Sequence, residues 1–303
     1  MKALITGSRG FVGKHLRAEL ATHGYTVRGI DLTEDEETLQ IDISNKEAVQ
    51  GCIKSENPDV IFHLAGQPSV YISWKNPQKT FFINVIGTIN LLESVRNLGK
   101  PCRVILIGSA EQYGIITTDM PVSEETELLP HNPYASSKKA QEDLALIYVK
   151  TYGMDICMTR SFNHSGPGQK PGFLISDLSL GISSVERGLA PHLKVGNTEA
   201  VRDFTDVRDV AAAYRLICER GTAGEAYNVG SGVGYKVQDI LEMMLAMANC
   251  EISVFSDADR VRPSDIPVLI CDNSKISKLG WKPTISIKRT FRDTLEYYRS
   301  YKE

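Results

Sequence analysis

Short apolar runs and amphipathic stretches alternate along the first half of the chain. Lys2 to Thr6 is one such run and predicts a buried strand. Between Lys14 and His23, Leu16 and Leu20 stand four apart, so a helix follows. Thr26 to Ile30 predicts a second strand, ending at Asp31. Ser44 to Ser55 predicts a short helix capped by Ser44. Val60 to Leu64 reads as a strand behind the breaker Pro58, and Arg103 to Ile107 as another. Asn76 and Pro77 form a cap and a first-turn proline for a helix to about Leu98. Lys139 to Leu146 is again helix-forming. This alternation with short loops predicts an α/β fold built on a doubly wound, Rossmann-like parallel sheet.

The second half is less regular. Strands are expected at Ile156 to Arg160, Leu193 to Gly196, Ala226 to Val229 and Ile252 to Phe255. Helices are expected at Leu174 to Arg187, from Val207 to Arg220, at Val237 to Ala248 and at Ile287 to Tyr301. Ser161 to Gly168 and Arg260 to Asp265 read as loops. Neither a repeat nor a linker divides the chain, so a smaller α/β domain should interleave with the sheet toward the C-terminus.

Composition narrows the function. A formal net charge of −3 over 303 residues, with no long single-sign run, suggests neither a nucleic-acid nor a membrane surface. Glu34 to Glu37 reads as a solvated acidic turn. The six cysteines are scattered and the six histidines lack ligand spacing, which points to reduced thiols in a cytoplasmic protein without a metal site. No apolar run reaches the roughly 20 residues of a membrane span. The first residues already form a strand and a functional loop, so no signal peptide is expected.

The candidate chemistry lies at the ends of the predicted strands. The loop Gly7-Ser8-Arg9-Gly10-Phe11-Val12-Gly13 joins a strand to a helix N-terminus, where free N–H groups and the helix dipole suit a phosphate. Asp31 lies eighteen residues beyond Gly13, where the dinucleotide fold places an acid on the adenosine ribose. A carboxylate there repels a 2′-phosphate, so NAD(H) is favoured, with NADP(H) the alternative. The small residues after the strand at Val60, Leu64-Ala65-Gly66, leave room for a cofactor. Asn84 is either a cofactor contact or an inward polar residue satisfied by backbone. Tyr134 and Lys138 share one helix face, where an ammonium lowers a phenol's pKa and suits proton transfer to a sugar oxygen. Spacing alone favours a surface helix that happens to carry both; the glycine loop at the N-terminus overturns that reading.

Thr6-Gly7-x-x-Gly10-x-x-Gly13, His63-Leu64-Ala65, Ser109, Tyr134-x-x-x-Lys138 and Arg160-Ser161-Phe162-Asn163 together resemble the extended short-chain dehydrogenase/reductase superfamily across essentially the whole chain. Phe162 to Gln169, Val195-Gly196-Asn197, Val201 to Phe204 and Arg262-Pro263-Ser264-Asp265 are similar to the GDP-mannose 4,6-dehydratase and GDP-6-deoxy-4-keto-mannose reductase branch, most of all its reductases. The resemblance implies a homodimer that reduces a GDP-4-keto-6-deoxy sugar, giving GDP-D-rhamnose. It implies catalytic roles for Ser109, Tyr134, Lys138 and Glu111. The glycine loop, with Arg9, Phe11 and Val12, would hold the cofactor together with Asp31, Asp42, Ile43, Leu64, Ala65, Gly66, Asn84 and Phe162. Ser109, Glu111, Asn163, Val195, Asn197, Arg202, Arg262 and Asp265 would hold the nucleotide sugar. The cofactor domain would comprise 1–163, about 204–231 and about 266–290, and the sugar domain about 164–203, 232–265 and 291–303.

Two departures bear on the reaction. Where the dehydratases carry an arginine- and serine-rich segment, this chain has the short acidic run Leu32 to Leu39. Where they carry Thr-Ser-Glu, it has Ser109-Ala110-Glu111. The first speaks against an NADP-dependent dehydratase; the retained Glu111 keeps dehydration or 4-epimerisation as the alternative. A non-catalytic dinucleotide sensor is a remoter alternative, since Ser109, Tyr134 and Lys138 are all present.

Overall fold

In β1 (Lys2–Thr6), Ala3 and Ile5 enter one apolar core while Leu4 enters another. The strand at Val60 divides in the same way, Val60 and Phe62 to the first core and Ile61 to the second. An unbroken apolar run is therefore required, because both faces of the sheet are covered. A computed structural model describes residues 1–116, 121–257 and 266–300. The remaining strands are β2 (Thr26–Asp31), β3 (Thr38–Gln40), β4 (Val60–His63), β5 (Arg103–Ser109), β6 (Ile156–Ser161), β7 (Asn163–Ser165), β8 (Leu193–Val195), β9 (Val201–Asp206), β10 (Ala226–Val229), β11 (Gly234–Lys236), β12 (Val254–Ser256) and β13 (Val268–Leu269). The helices are α1 (Phe11–Thr22), α2 (Lys46–Glu56), α3 (Val70–Lys75), α4 (Pro77–Phe81), α5 (Gly87–Arg96), α6 (Pro133–Tyr152), α7 (Leu174–Glu186), α8 (Val207–Arg220), α9 (Val237–Leu245), α10 (Ser274–Ser277) and α11 (Ile287–Ser300).

Among the described residues, seven parallel strands form the main sheet in the order β10-β6-β5-β4-β1-β2-β3. α1 and α8 cover one face, and α2, α5 and α6 the other. The strand order reverses between β1 and β4, so their carboxyl ends open a crevice. The smaller domain contains β11-β9-β13, with β7 paired to β9, and the pair β12-β8. Its core draws on α7, α9 and α11. The chain leaves the main sheet after β6, returns through α8 and β10, and leaves again at β11, which is the expected interleaving.

Several local expectations are corrected. Asn45, not Ser44, caps α2, its side chain accepting from the Ala48 N–H. The Ser44 hydroxyl instead donates to Asp42. The helix expected from Pro77 to about Leu98 runs to Arg96 but passes through a π turn at Phe82–Ile86. The short strands β3, β7, β9, β11 and β13, and α3, do not follow from the sequence pattern. β9 illustrates why: Asp203, Thr205 and Asp206 are polar yet buried, so periodicity does not mark it. The loop expected at 260–265, with Arg262 and Asp265, lies outside the described residues, as does Tyr301.

Candidate active site

The crevice is built first from backbone. Gly7 has a φ of +71°, and a Cβ on it would lie 2.9 Å from the Ala65 nitrogen. On Gly13 a Cβ would sit 2.3 Å from the Gly7 carbonyl oxygen. α1 starts behind Gly10 with no side-chain cap. The arrangement therefore offers uncapped helix N–H groups to an anion, and a dinucleotide's diphosphate fits that cradle. Arg9 and Phe11 flank it, the Phe11 ring stacking on His164 at 6.2 Å. Val12 packs into the core beneath. The Asp31 carboxylate, at the end of β2, accepts from the Arg9 N–H at 2.9 Å and the Leu32 N–H at 2.7 Å. Beyond it, Asp35 and Glu37 pair with Arg17, and Asp35 also with Arg9. Asp42 caps its own turn by accepting from the Ser44 N–H, and Ile43 is buried beside Gly87.

Leu64, Ala65 and Gly66 continue from β4. The Thr6 hydroxyl takes the Ala65 N–H and lies 2.8 Å from His63 Nδ1. His63 Nε2 lies 3.0 Å from the Thr88 hydroxyl, which itself donates to the Asn84 carbonyl at 2.7 Å. Thr88 has one proton, so Nε2 must donate and Nδ1 must accept. Burial pushes His63 down to about 3, consistent with that neutral tautomer. The π turn rolls Asn84 inward, as π turns at functional sites commonly do. Its amide accepts from the Gln67 N–H at 2.7 Å and donates to the Gln67 carbonyl and the Ser137 hydroxyl. Asn84 is thus satisfied inside the protein and ties the strand-end loop to α6.

α6 is opened by Asn132, which caps the Ala135 N–H at 2.8 Å, with Pro133 at its first position. Tyr134 and Lys138 are both buried in its first turns. Lys138 Nζ donates to the Ile107 carbonyl at 2.9 Å and would lie 3.7 Å from a Cβ on Gly66. Burial brings Lys138 down to about 8. Burial raises Tyr134 to about 12, the Ser109 hydroxyl acting against this and the Glu111 carboxylate adding to it. Ser109 ends β5 and caps the following turn, accepting from the Glu111 N–H. The Asn132 amide donates to Glu111 Oε2 at 3.0 Å. Ser109, Glu111, Tyr134 and Lys138 are therefore brought together.

The model of the GDP-mannose 4,6 dehydratase family matches residues 4–294. The chain belongs to this family. It is 35% identical over 302 residues to the GDP-6-deoxy-D-mannose reductase of Pseudomonas aeruginosa, covering 99% of this chain and 97% of that one. The structure of RMD from Pseudomonas aeruginosa complexed with NADPH superposes with a TM-score of 0.90 at 34% identity, covering 99% of both chains. The UDP-glucose 4-epimerase of Thermus thermophilus in complex with NAD gives 0.90 at 27% identity, also over 99% of both. The fold is accordingly an NAD(P)(H)-binding Rossmann fold.

The other expected residues follow α6 in the chain. Phe162 is buried against Tyr113, and Asn163 opens β7 two residues beyond Ser161, the partner of Ser109 across the sheet. Val195 ends β8, Asn197 caps the Glu199 N–H, and Arg202 lies on β9, donating to the Val201 carbonyl. Residues that sequence reasoning passes over include Gln67, Asn132, Ser137 and Gln112. Two carry legible signals: Asn132 precedes a proline at a helix start, and Ser109-x-x-Gln112 is a capping-box pattern. Among the described residues, no group of three His, Cys, Asp or Glu could hold a metal ion, and no helix is long and apolar enough to cross a membrane.

Proposed function

We propose that the chain reduces the 4-keto group of a GDP-4-keto-6-deoxy sugar with NAD(P)H, converting GDP-4-dehydro-6-deoxy-D-mannose to GDP-D-rhamnose. The observation that carries this is the buried meeting of Ser109, Tyr134 and Lys138 beside the glycine cradle. Similarity to the Pseudomonas aeruginosa reductase supports it. The bound nicotinamide supplies the hydride that carbon 4 receives. Tyr134 gives its phenolic proton to oxygen 4, and Ser109 donates a hydrogen bond to the same oxygen, polarising the carbonyl. With Tyr134 raised to about 12, the phenol carries its proton at neutral pH, the state a donor needs. Lys138 would stabilise the phenolate left behind and hold the nicotinamide ribose.

Asn163 is assigned to the GDP-sugar together with Val195, Asn197, Arg202, Arg262 and Asp265, the last five in the sugar domain of 164–203, 232–265 and 291–303. Asp31 favours NADH. Its carboxylate would meet the adenosine ribose, and the nearby Arg9 and Arg17 are already paired with acids. Glu111, held by Asn132, supports one second reading, a dehydratase in which Glu111 removes the proton at carbon 5, or a 4-oxidoreductase or epimerase that uses it as base. A homodimer through α3 to α6 fits the exposed apolar side chains Tyr71, Trp74, Phe82 and Ile147 there, Trp74 being 57% exposed. Five buried free cysteines suit a reducing, cytoplasmic setting.

The test is absorbance at the reduced-nicotinamide band, with GDP-4-keto-6-deoxy-mannose and either NADH or NADPH. Loss with NADH, faster than with NADPH, is expected. No loss with either, together with conversion of GDP-mannose to a keto sugar without added cofactor, would replace the reductase by a dehydratase. Sedimentation should show a dimer that Trp74→Asp converts to monomer.

A further inference from the structure

Behind Ser109 lies a chain of buried polar groups that the reaction does not use. Glu142 stands on α6, eight residues after Tyr134, and is 5% exposed. Arg160 of β6 donates to it twice, Nη2 to Oε1 at 2.6 Å and Nε to Oε2 at 3.2 Å. Gln112 Nε2 donates to Glu142 Oε2 at 2.8 Å, and Gln112 Oε1 accepts from the Ser109 N–H at 2.9 Å. A carboxylate can only accept, so the nitrogen end of the Gln112 amide must face Glu142. Its oxygen end is thereby aimed at Ser109.

We propose that Glu142, fixed by Arg160, is a positioning residue that sets the Gln112 amide and through it holds the Ser109 hydroxyl against Tyr134. This rests on the reading of Ser109 and Tyr134 as the groups that act on the carbonyl. Glu142 lies on the same helix as Tyr134, so one buried carboxylate ties together the two elements carrying the proton donor and its partner. The logic is one of donor and acceptor polarity, which permits a swap. In Glu142→Gln one Arg160 donor must face an amide nitrogen whichever way the new amide turns, because Nη2 reaches Oε1 and Nε reaches Oε2. The clamp that also accepts from Gln112 is loosened, and the Gln112 amide loses its fixed sense toward the Ser109 N–H. In Gln112→Glu two carboxylates face each other. In the double variant the carboxylate of Gln112→Glu accepts from the new amide and from the Ser109 N–H, the charge of the cluster is conserved, and Arg160 Nε alone loses its acceptor.

Steady-state kinetics and amide hydrogen exchange of the Ser109 segment test this on the full chain. Each single variant should lower kcat by about 10- to 100-fold with little change in KM for NADH. Each should also lose protection at the Ser109 amide, and the double variant should recover both. Gln112→Met, which leaves the ion pair intact, guards against simple misfolding and should lower kcat while the chain stays folded by circular dichroism. Fully active single variants, or a folded double variant that recovers neither readout, would overturn the proposal. If the wild-type chain oxidises no NADH with the keto sugar, the reductase reading fails instead. Exchange protection, lost in the singles and regained in the double, then decides the relay alone.

Discussion

The main sheet, with its glycine cradle, and the smaller domain, which the proposed function assigns to the sugar side, are held in different ways. On the cofactor side, the functional positions are backbone at the ends of strands buried on both faces. β1 and β4 place Gly7 and Ala65 because Ala3, Ile5, Val60 and Phe62 fill one core and Leu4 and Ile61 another. On the sugar side the strands are short, and buried side chains replace long ladders. Asp203 of β9 accepts from the Ser231 N–H, the Ser231 hydroxyl, the Gly232 N–H and the Cys271 N–H. One carboxylate thus pins two loops to the strand that carries Arg202. The first side resists by apolar burial; the second depends on a few polar contacts, each costly to remove.

Tyr134 stands between the two sides, and its loss should have the largest effect. Tyr134→Phe is expected to lower kcat by about a hundredfold or more, with the dissociation constant for NADH little changed. Single-turnover absorbance and cofactor titration check this together. Unchanged turnover would remove Tyr134 as the donor and leave Glu111 as the candidate acid.

A change at Asp203 should sharpen the contrast on the sugar side. In Asp203→Asn one oxygen becomes a donor facing N–H groups, so buried contacts are lost on Ser231, Gly232 or Cys271. About 2–4 kcal/mol of stability should go, read by chemical denaturation. Affinity for a GDP-sugar should fall more than affinity for NADH, since β9 and its loops carry the sugar side. Equal weakening of both ligands would show that the two sides are not independently held.

The same contrast decides what a sequence can reveal. Gly7, Gly13 and Asp31 are legible because strand, loop, helix and acid fall in register along one local stretch. Ser109, Tyr134 and Lys138 are legible as motif residues, but their meeting depends on β5 and α6 packing across about 25 residues of chain. Asn84 stays open between cofactor and backbone because nothing in Phe81 to Ile86 announces a π turn. The extra residue per turn leaves little mark on the sequence and follows from tertiary partners, Gln67 and Ser137. β9 escapes notice as a strand because Asp203, Thr205 and Asp206 are buried beside Phe204, and the burial of Asp203 is justified only by Ser231, Gly232 and Cys271, far away in the chain. Local pattern carries the apolar half of the site, while long-range hydrogen bonding hides the polar half.

The smallest expected effect belongs to the cofactor side and isolates a single ring. His63 joins Thr6 to Thr88 as a neutral imidazole, lowered to about 3 by burial from its ordinary 6.5. Between those values the unfolded chain takes a proton there and the folded chain refuses it. The unfolded state therefore binds more protons, and stability falls as pH falls. The contribution is complete above about 6.5 and is lost progressively toward about 3. Between pH 7 and pH 5 the wild type should lose about 2 kcal/mol more than a His63→Asn variant, which has no ring to titrate. His164, also held down by burial, remains in both proteins and cancels in the comparison. Parallel urea titrations at the two pH values measure the difference. Identical pH slopes would mean that His63 accepts a proton in the folded state, which would break its link to Thr88 and free Asn84 from the strand-end loop. The cofactor side would then rest on titratable side chains as the sugar side does, and the distinction between the two would vanish.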